Sequence, residues 1–176
     1  TYTDQTRITV RRSISENNGI SRATMTFPNF TGRHNDDFQI NQEVEIKLDK
    51  TTNPATTIVF LGVVRDIEFS GEANHETVTV TAFDYGVRLQ DVTVQPVVYN
   101  SSEVSTIVKN LVDLYVTGIT YTNTNATTLT LSRLTFKHQS VFDSVNQLAK
   151  LSDFIFYVDT AKDLNFKKRN NASSGV

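Results

Sequence analysis

The chain has 176 residues, 38% of them hydrophobic and 20% charged, with 17 Lys and Arg against 19 Asp and Glu. That length supports one substantial core or two small ones, and a net charge of −2 with a pI near 5.9 excludes a generally basic, duplex-binding surface. The absence of cysteine excludes disulfide scaffolds, thiolate zinc sites and cysteine nucleophiles, and no apolar run approaches the roughly 20 residues of a helical membrane span.

The chain begins at Thr1 without a basic n-region or an apolar signal core, which suggests a cut domain or a processed product. Its first half carries strand signals. Ile8, Val10 and Ile14 alternate with polar residues, and Asn17-Asn18-Gly19 supplies a turn. Ala23, Met25 and Phe27 repeat the alternation up to Pro28, and the polar stretch 31–42 reads as a loop. Val44, Ile46 and Leu48 give a strand with one wet face, followed by a turn at Thr51-Thr52-Asn53-Pro54. The apolar run 58–64 predicts a strand buried on both faces, in which Gly62 marks either a bulge or a close backbone approach. It continues through Ile67 and Phe69 to a turn at Ser70-Gly71, and Val78, Val80 and Ala82 form the returning strand. Together these elements predict a twisted sheet or closed barrel of about six strands.

The period changes after Pro96. Val104, Ile107, Val108, Leu111, Val112 and Tyr115 lie on one stripe of a helix, opened by Ser101 or Ser102, with Glu103 in its first turn and Gly118 as a stop. Ile119 and Tyr121 form one short β segment. Leu129, Leu131, Leu134 and Phe136 form another, with a phase slip near Ser132-Arg133 that predicts a bulge. Ser140 and Asp143 have the spacing of a capping box, and Phe142, Val145, Leu148 and Ala149 form the buried stripe of a second helix. Strands at 154–158 and through Leu164 and Phe166 follow. The fold class is mainly β with α+β: a barrel- or sandwich-like domain at 1–97, a small two-helix α+β domain at 98–169, and a polar tail at 170–176.

Chemistry-bearing patterns are sparse. His34, His75 and His138 each stand apart from any metal-ligand spacing. His34 with Asp36 and Asp37 is the one cluster with cation-ligand character, and a solvated loop is the expectation there. There is no GxGxxG, P-loop or GxSxG motif. Asp66, Glu68, Asp84 and Asp91 would be the carboxylates for a glycosidase pair, but acids on wet strand faces and turns are commoner. Arg11-Arg12 and Lys167-Lys168-Arg169 are short basic runs. Single-strand recognition would need them interleaved with exposed aromatics, whereas Phe27, Phe60, Phe69 and Phe83 sit where core packing is the default. No catalytic, metal or cofactor residue is assigned, and no enzyme is expected.

The order of elements carries more information than any motif. FLGVVRDIEFSG from Phe60 is followed by ETVTVTAFDYGVRLQD, YNSSEVSTIVKNLVDLY, SVFDSVNQLAKLSDFIFYVD and DLNFKK. The succession resembles the baseplate hub or tail-tip proteins of tailed bacteriophages, including the late-control D family and the spike hubs of contractile injection systems. The matching positions are Asp84-Tyr85 and Leu89 closing the hairpin, Tyr99 before the 104–114 stripe, and Asp143, Leu148 and Ala149 before the aromatic strand 154–157, within residues 44–168 overall. The resemblance implies a tube-like β domain with a companion domain, assembled with copies of itself as a trimer or ring. Such a ring joins the tail tube and distal tail to the spike or fibre, within the virion, and DNA passes through its channel without sequence-specific binding. It implies no cofactor, no membrane span and no catalytic residues. The alternative is a carbohydrate- or receptor-binding β module of a tail tip, against which the absence of Trp counts.

Overall fold

In the computed structural model, which describes residues 7–12, 19–48, 57–71 and 76–169, the period-two segments of the first half become strands. These are β1 (Arg7–Arg11), β2 (Arg22–Pro28), β3 (Glu43–Leu48), β4 (Thr57–Ser70) and β5 (Thr77–Asp84). They form one antiparallel sheet in the order β1-β2-β5-β4-β3. Strand alternation sends Ala23, Met25, Phe27, Phe60, Val64, Val78, Val80 and Ala82 to one face, where with Ile46 they form the core. Val10, Phe38, Val44, Val59 and Ile67 pack around its margin.

The sheet is curled rather than flat. Arg12, just past the end of β1, donates from Nη2 to the carbonyl of Val59 on β4 at 3.1 Å, although β2 and β5 lie between those strands in the sheet order. Five strands, not six, make up this sheet among the described residues. Ile14, the turns at 17–18 and 51–54, His75 and the tail 170–176 lie outside the described residues.

Gly62 is a close approach and not a bulge. A Cβ there would lie 2.1 Å from the carbonyl oxygen of Phe83 and 2.9 Å from the Phe60 ring, so only glycine fits. The register shifts fall elsewhere, between Ile46 and Lys47 on β3 and between Val64 and Asp66 on β4. The second shift keeps Asp66 and Glu68 level with Thr81 and Thr79, on the polar face of the sheet.

The described residues form two compact units, one of 7–12 with the described part of 21–84 and the other of 19–20 with 85–169. The break thus falls between Asp84 and Tyr85, whereas the change of period marks residue 97. The residues between belong to the second unit through specific bonds: Val94 N–H donates to Gln139, Val141 N–H donates to Val92, and Arg88 and Lys162 both lie over the buried Tyr85 ring. A one-turn helix α1 (Val87–Gln90), too short to show a period, buries Val87 and Leu89.

The second unit contains β6 (Val97–Glu103), α2 (Val104–Tyr115), β7 (Thr130–Phe136), α3 (Val141–Ser152), β8 (Phe154–Val158) and β9 (Leu164–Lys168). The apolar stripes of α2 and α3 are buried as their spacing predicts, and the two helices pack together. The Phe142 ring meets Phe156 edge-on at 5.1 Å. Ser140 caps α3, its Oγ accepting from the Asp143 N–H at 2.9 Å while donating to the Asp143 carboxylate at 2.7 Å.

Three expectations in this half are corrected. Ser101 and Ser102 do not open α2. They belong to β6, which pairs with β7 through Glu103, so the helix starts at Val104 without a side-chain cap. The ladder between β6 and β7 keeps one register from Val97↔Phe136 to Glu103↔Thr130, so there is no bulge near Ser132-Arg133. The irregularity lies instead on β6, at Ser101 with φ of 47°. Finally, Ile119 and Tyr121 do not form a strand; only isolated parallel bridges tie Thr120 to Asp163 and Thr124 to Phe166.

Asp163 explains that last departure. Its buried carboxylate accepts from the Thr120 and Thr122 hydroxyls and from the N–H groups of Thr122 and Asn123. It therefore consumes donors that a ladder would have used. Burial pushes the Asp163 carboxyl upward, but those four bonds together outweigh it and hold the group below the ordinary carboxylate value. Glu103 plays the same part at the other end of the loop. It accepts from the Ser105 hydroxyl and from the N–H and hydroxyl of Thr127, and these bonds, led by Ser105, keep its carboxyl low.

Two predictions follow from this packing. Leu111→Asp places an unpaired charge at a fully buried position of α2 and should cost more than about 4 kcal/mol, while Leu114→Asp, at a 61% exposed position of the same helix, should cost under about 0.5 kcal/mol. Urea denaturation of both variants checks the helix face. Asp163→Asn should destabilise the protein by about 2 kcal/mol at neutral pH. Because the folded carboxyl is lowered, its contribution is complete above about pH 4, the unfolded value, and is lost as pH falls through the lower folded value. The difference in melting temperature between wild type and Asp163→Asn should therefore shrink on acidification below about pH 4.

Candidate assembly surface

The residues with chemical potential in the sequence have structural duties or stand apart. His34 is buried, with Nδ1 2.7 Å from the Asp37 carboxylate and its ring beside Phe27 and Phe38, so it anchors the 29–42 loop to the core. Asp36 beside it is exposed, and no group of acids and histidines among the described residues has the geometry to hold a metal ion. His138 is exposed at a left-handed backbone position.

The four carboxylates named as a possible pair do not form one site. Asp66 and Glu68 are exposed on β4, whereas Asp84 is buried and accepts from the Ser21 N–H at 2.6 Å. Asp91 closes α1 in the second unit. The basic runs are also dispersed. Lys167 lies over the Tyr157 ring and Arg169 pairs with Asp153 at 3.0 Å. Phe27 and Phe60 are core residues, Phe83 lies under the Arg22 guanidinium, and only Phe69 of the four is widely exposed, at 52%.

What the first unit does present is a patterned sheet. Rows straight across its polar face run Arg7, Thr26, Thr79, Glu68 and Thr9, Thr24, Thr81, Asp66. The centre of this face is a threonine ladder, with the Thr26 and Thr79 hydroxyls 3.4 Å apart and Arg22 reaching Thr81 at 3.4 Å. Arginines line the β1 margin and carboxylates the β4 margin. The alternation of β2, β3 and β5 marks their wet faces, whereas the run 58–64, expected to be buried on both faces, leaves Ile58 exposed and Val59 and Leu61 half-buried. The charge polarity appears only once the strand order is known.

Among the described residues the two margins are also open edges. Among the described residues β1 pairs only with β2. β4 pairs with β3 only through Val63, and Val64 exchanges backbone bonds with Asn41 and Gln42; beyond that its pairing is with β5 alone. Beside this stretch a cleft of about 500 Å³ is lined by Asn29, Asn35, Phe69, Ser70, Glu76 and Thr77.

No protein-family profile matches the chain, and no curated protein matches it in sequence. Solved structures do match in fold. A tail protein from Neisseria meningitidis MC58 superposes with a TM-score of 0.61 at 10% identity, over 85% of this chain and 42% of that one. The 43 kDa tail protein of prophage MuSo2 from Shewanella oneidensis gives 0.53 at 16% identity, over 84% and 44%. The E. coli c3393 protein, a type VI secretion component with structural similarity to the T4 tail proteins gp27 and gp5, gives 0.61 at 12% identity, over 91% and 48%. The chain thus spans less than half the length of each of these proteins. The mainly β fold with its α+β companion is the fold of phage tail and tail-like proteins, as the order of elements in the sequence implies.

Proposed function

We propose that this chain is a structural module of a phage or phage-like tail, acting at the baseplate hub, where copies form a ring between the tail tube and the spike or fibre. The observation that carries this reading is the fold shared with three tail proteins over 84% to 91% of the chain. A curled sheet with two open edges supports it further, since such edges readily accept neighbouring strands. The sheet unit is the ring-forming part, and the α+β unit docks on adjoining tail proteins. The threonine face suits a channel wall, because neutral hydroxyls give a polyanion little to bind as it passes. The role is architectural and needs no catalytic group. The module is made in the host cytoplasm and works in the virion.

The cleft beside Phe69 favours a second reading, in which a tail-tip module binds a surface glycan by stacking a sugar on the ring and bonding it to Asn29, Asn35 and Glu76.

Light scattering behind a sizing column, with electron microscopy of the same fractions, separates the two. The hub reading expects a trimer or larger ring at high concentration. A monomer throughout, with a selective glycan-array signal abolished by Phe69→Ala, would replace it with the binding module.

A further inference from the structure

Building on the ring reading above, we infer that copies join by strand addition, with β1 of one copy seated against the open stretch 66–70 of β4 of the next. Five independent features of the two edges fit one another.

Length is the first. β1 has five residues, the same span as 66–70. Direction is the second. Each neighbouring pair in β1-β2-β5-β4 is antiparallel, so β1 runs opposite to β4, and a second copy in the same orientation continues the antiparallel alternation. The third is the face. Arg7, Thr9 and Arg11 share the polar face with Asp66 and Glu68, while Ile8 shares the opposite face with Ile67. A sheet continued across the junction therefore keeps its polar and apolar sides distinct.

Charge is the fourth and decides the pairing. Arg7 and Arg11 are exposed on one edge, Asp66 and Glu68 on the other. Two β1 edges placed together would oppose arginines, and two β4 edges would oppose carboxylates, so like-with-like pairing is disfavoured on both sides. The favoured contact joins different surfaces of two copies, and a repeated contact of that kind closes into a ring or runs on as a filament. Fifth, each edge carries an exposed apolar residue for the neighbour to cover: Ile8 at 40% and Phe69 at 52%. β3 is a poorer acceptor for β1. It runs parallel to β1 in this order, and its Glu45 is already held by Lys47 at 2.9 Å.

Disulfide trapping tests this cleanly, because the chain has no cysteine of its own. Seated antiparallel on 66–70, β1 brings Thr9 opposite Glu68 of the next copy, whereas within one chain β2 and β5 stand between these two residues, three strand spacings or about 14 Å and more, too far for a bridge. The variant carrying Thr9→Cys and Glu68→Cys, oxidised at high concentration, should give a ladder of covalent multimers on a non-reducing gel. Each single variant should give dimers at most. Charge reversal supplies the second measurement: Arg7→Glu with Arg11→Glu should raise the concentration needed for assembly at least about tenfold, and adding Asp66→Arg and Glu68→Arg to the same chain should restore it. Wild-type melting temperatures in all variants establish that each is folded.

Rings without a ladder, or a ladder appearing instead with Thr9→Cys and Glu45→Cys, would overturn this junction and leave the hub reading standing. Neither rings nor a ladder at any concentration would overturn both. Failure of the fourfold reversal to restore assembly in a folded protein would also remove the charge pairing, and with it the inference.

Discussion

The first unit depends on one strand being longer than either of its partners. β4 has fourteen residues, paired to β3 over 57–63 and to β5 over 62–70. Both pairings meet at Gly62 and Val63, and Gly62 lies opposite Val44 on one side and Asp84 on the other. That double engagement brings the Phe83 backbone so close that a single methyl group would collide with it. The offset sends the β3–β4 hairpin past the end of the sheet, where Val59 receives Arg12 from beyond β1. At the opposite end the same offset leaves the last residues of β4 without a strand on their outer side among the described residues. Curl, glycine and open edge are consequences of one mismatch in length.

The second unit solves a different problem. Between α2 and β7 the chain crosses residues 117–129 with no regular ladder, yet Ile119, Thr124 and Thr127 are buried. Buried backbone needs partners, and here two carboxylates supply them. Asp163 gathers the donors of 120–123 and Glu103 those of Thr127. Asp159 completes the arrangement by accepting from the Asp163 N–H at 3.1 Å and the Asn165 amide at 2.8 Å. Asp163 and Glu103 are committed to holding the loop, which is why their lowered carboxyl values point to architecture and not to catalysis.

Legibility in the sequence followed how local each signal was. Strands β2, β3 and β5 and the stripes of α2 and α3 announce themselves because one buried face imposes a period on adjacent residues. The start of α2 was misread because Ser101, Ser102 and Glu103 have cap chemistry, while pairing with β7, some thirty residues away, claims them as strand. Ile119 and Tyr121 alternate like a strand, but Asp163 outcompetes a ladder for their neighbours' N–H groups. Gly62 was marked as special, and only the position of Phe83 decides in which way. The candidate assembly surface is least legible of all: Arg7 and Glu68 are ordinary wet-face residues until strand order puts them at opposite margins of one face.

That segregation of charge bears on how a nearly neutral chain would assemble directionally in the proposed ring. A net charge of −2 says little about association, because the interaction depends on where the charges lie. Strand edges are indiscriminate donors and acceptors, and an unguarded pair of them invites aggregation through any available edge. Placing arginines on one edge and carboxylates on the other penalises self-matching while leaving head-to-tail contact favourable, so the same residues that guard each edge also select its partner. The threonine rows between the margins keep the face polar without adding charge, and in the proposed ring the curl of the sheet would turn each successive contact by the same amount. Closure of that ring would require no dedicated device beyond the curl of the sheet itself.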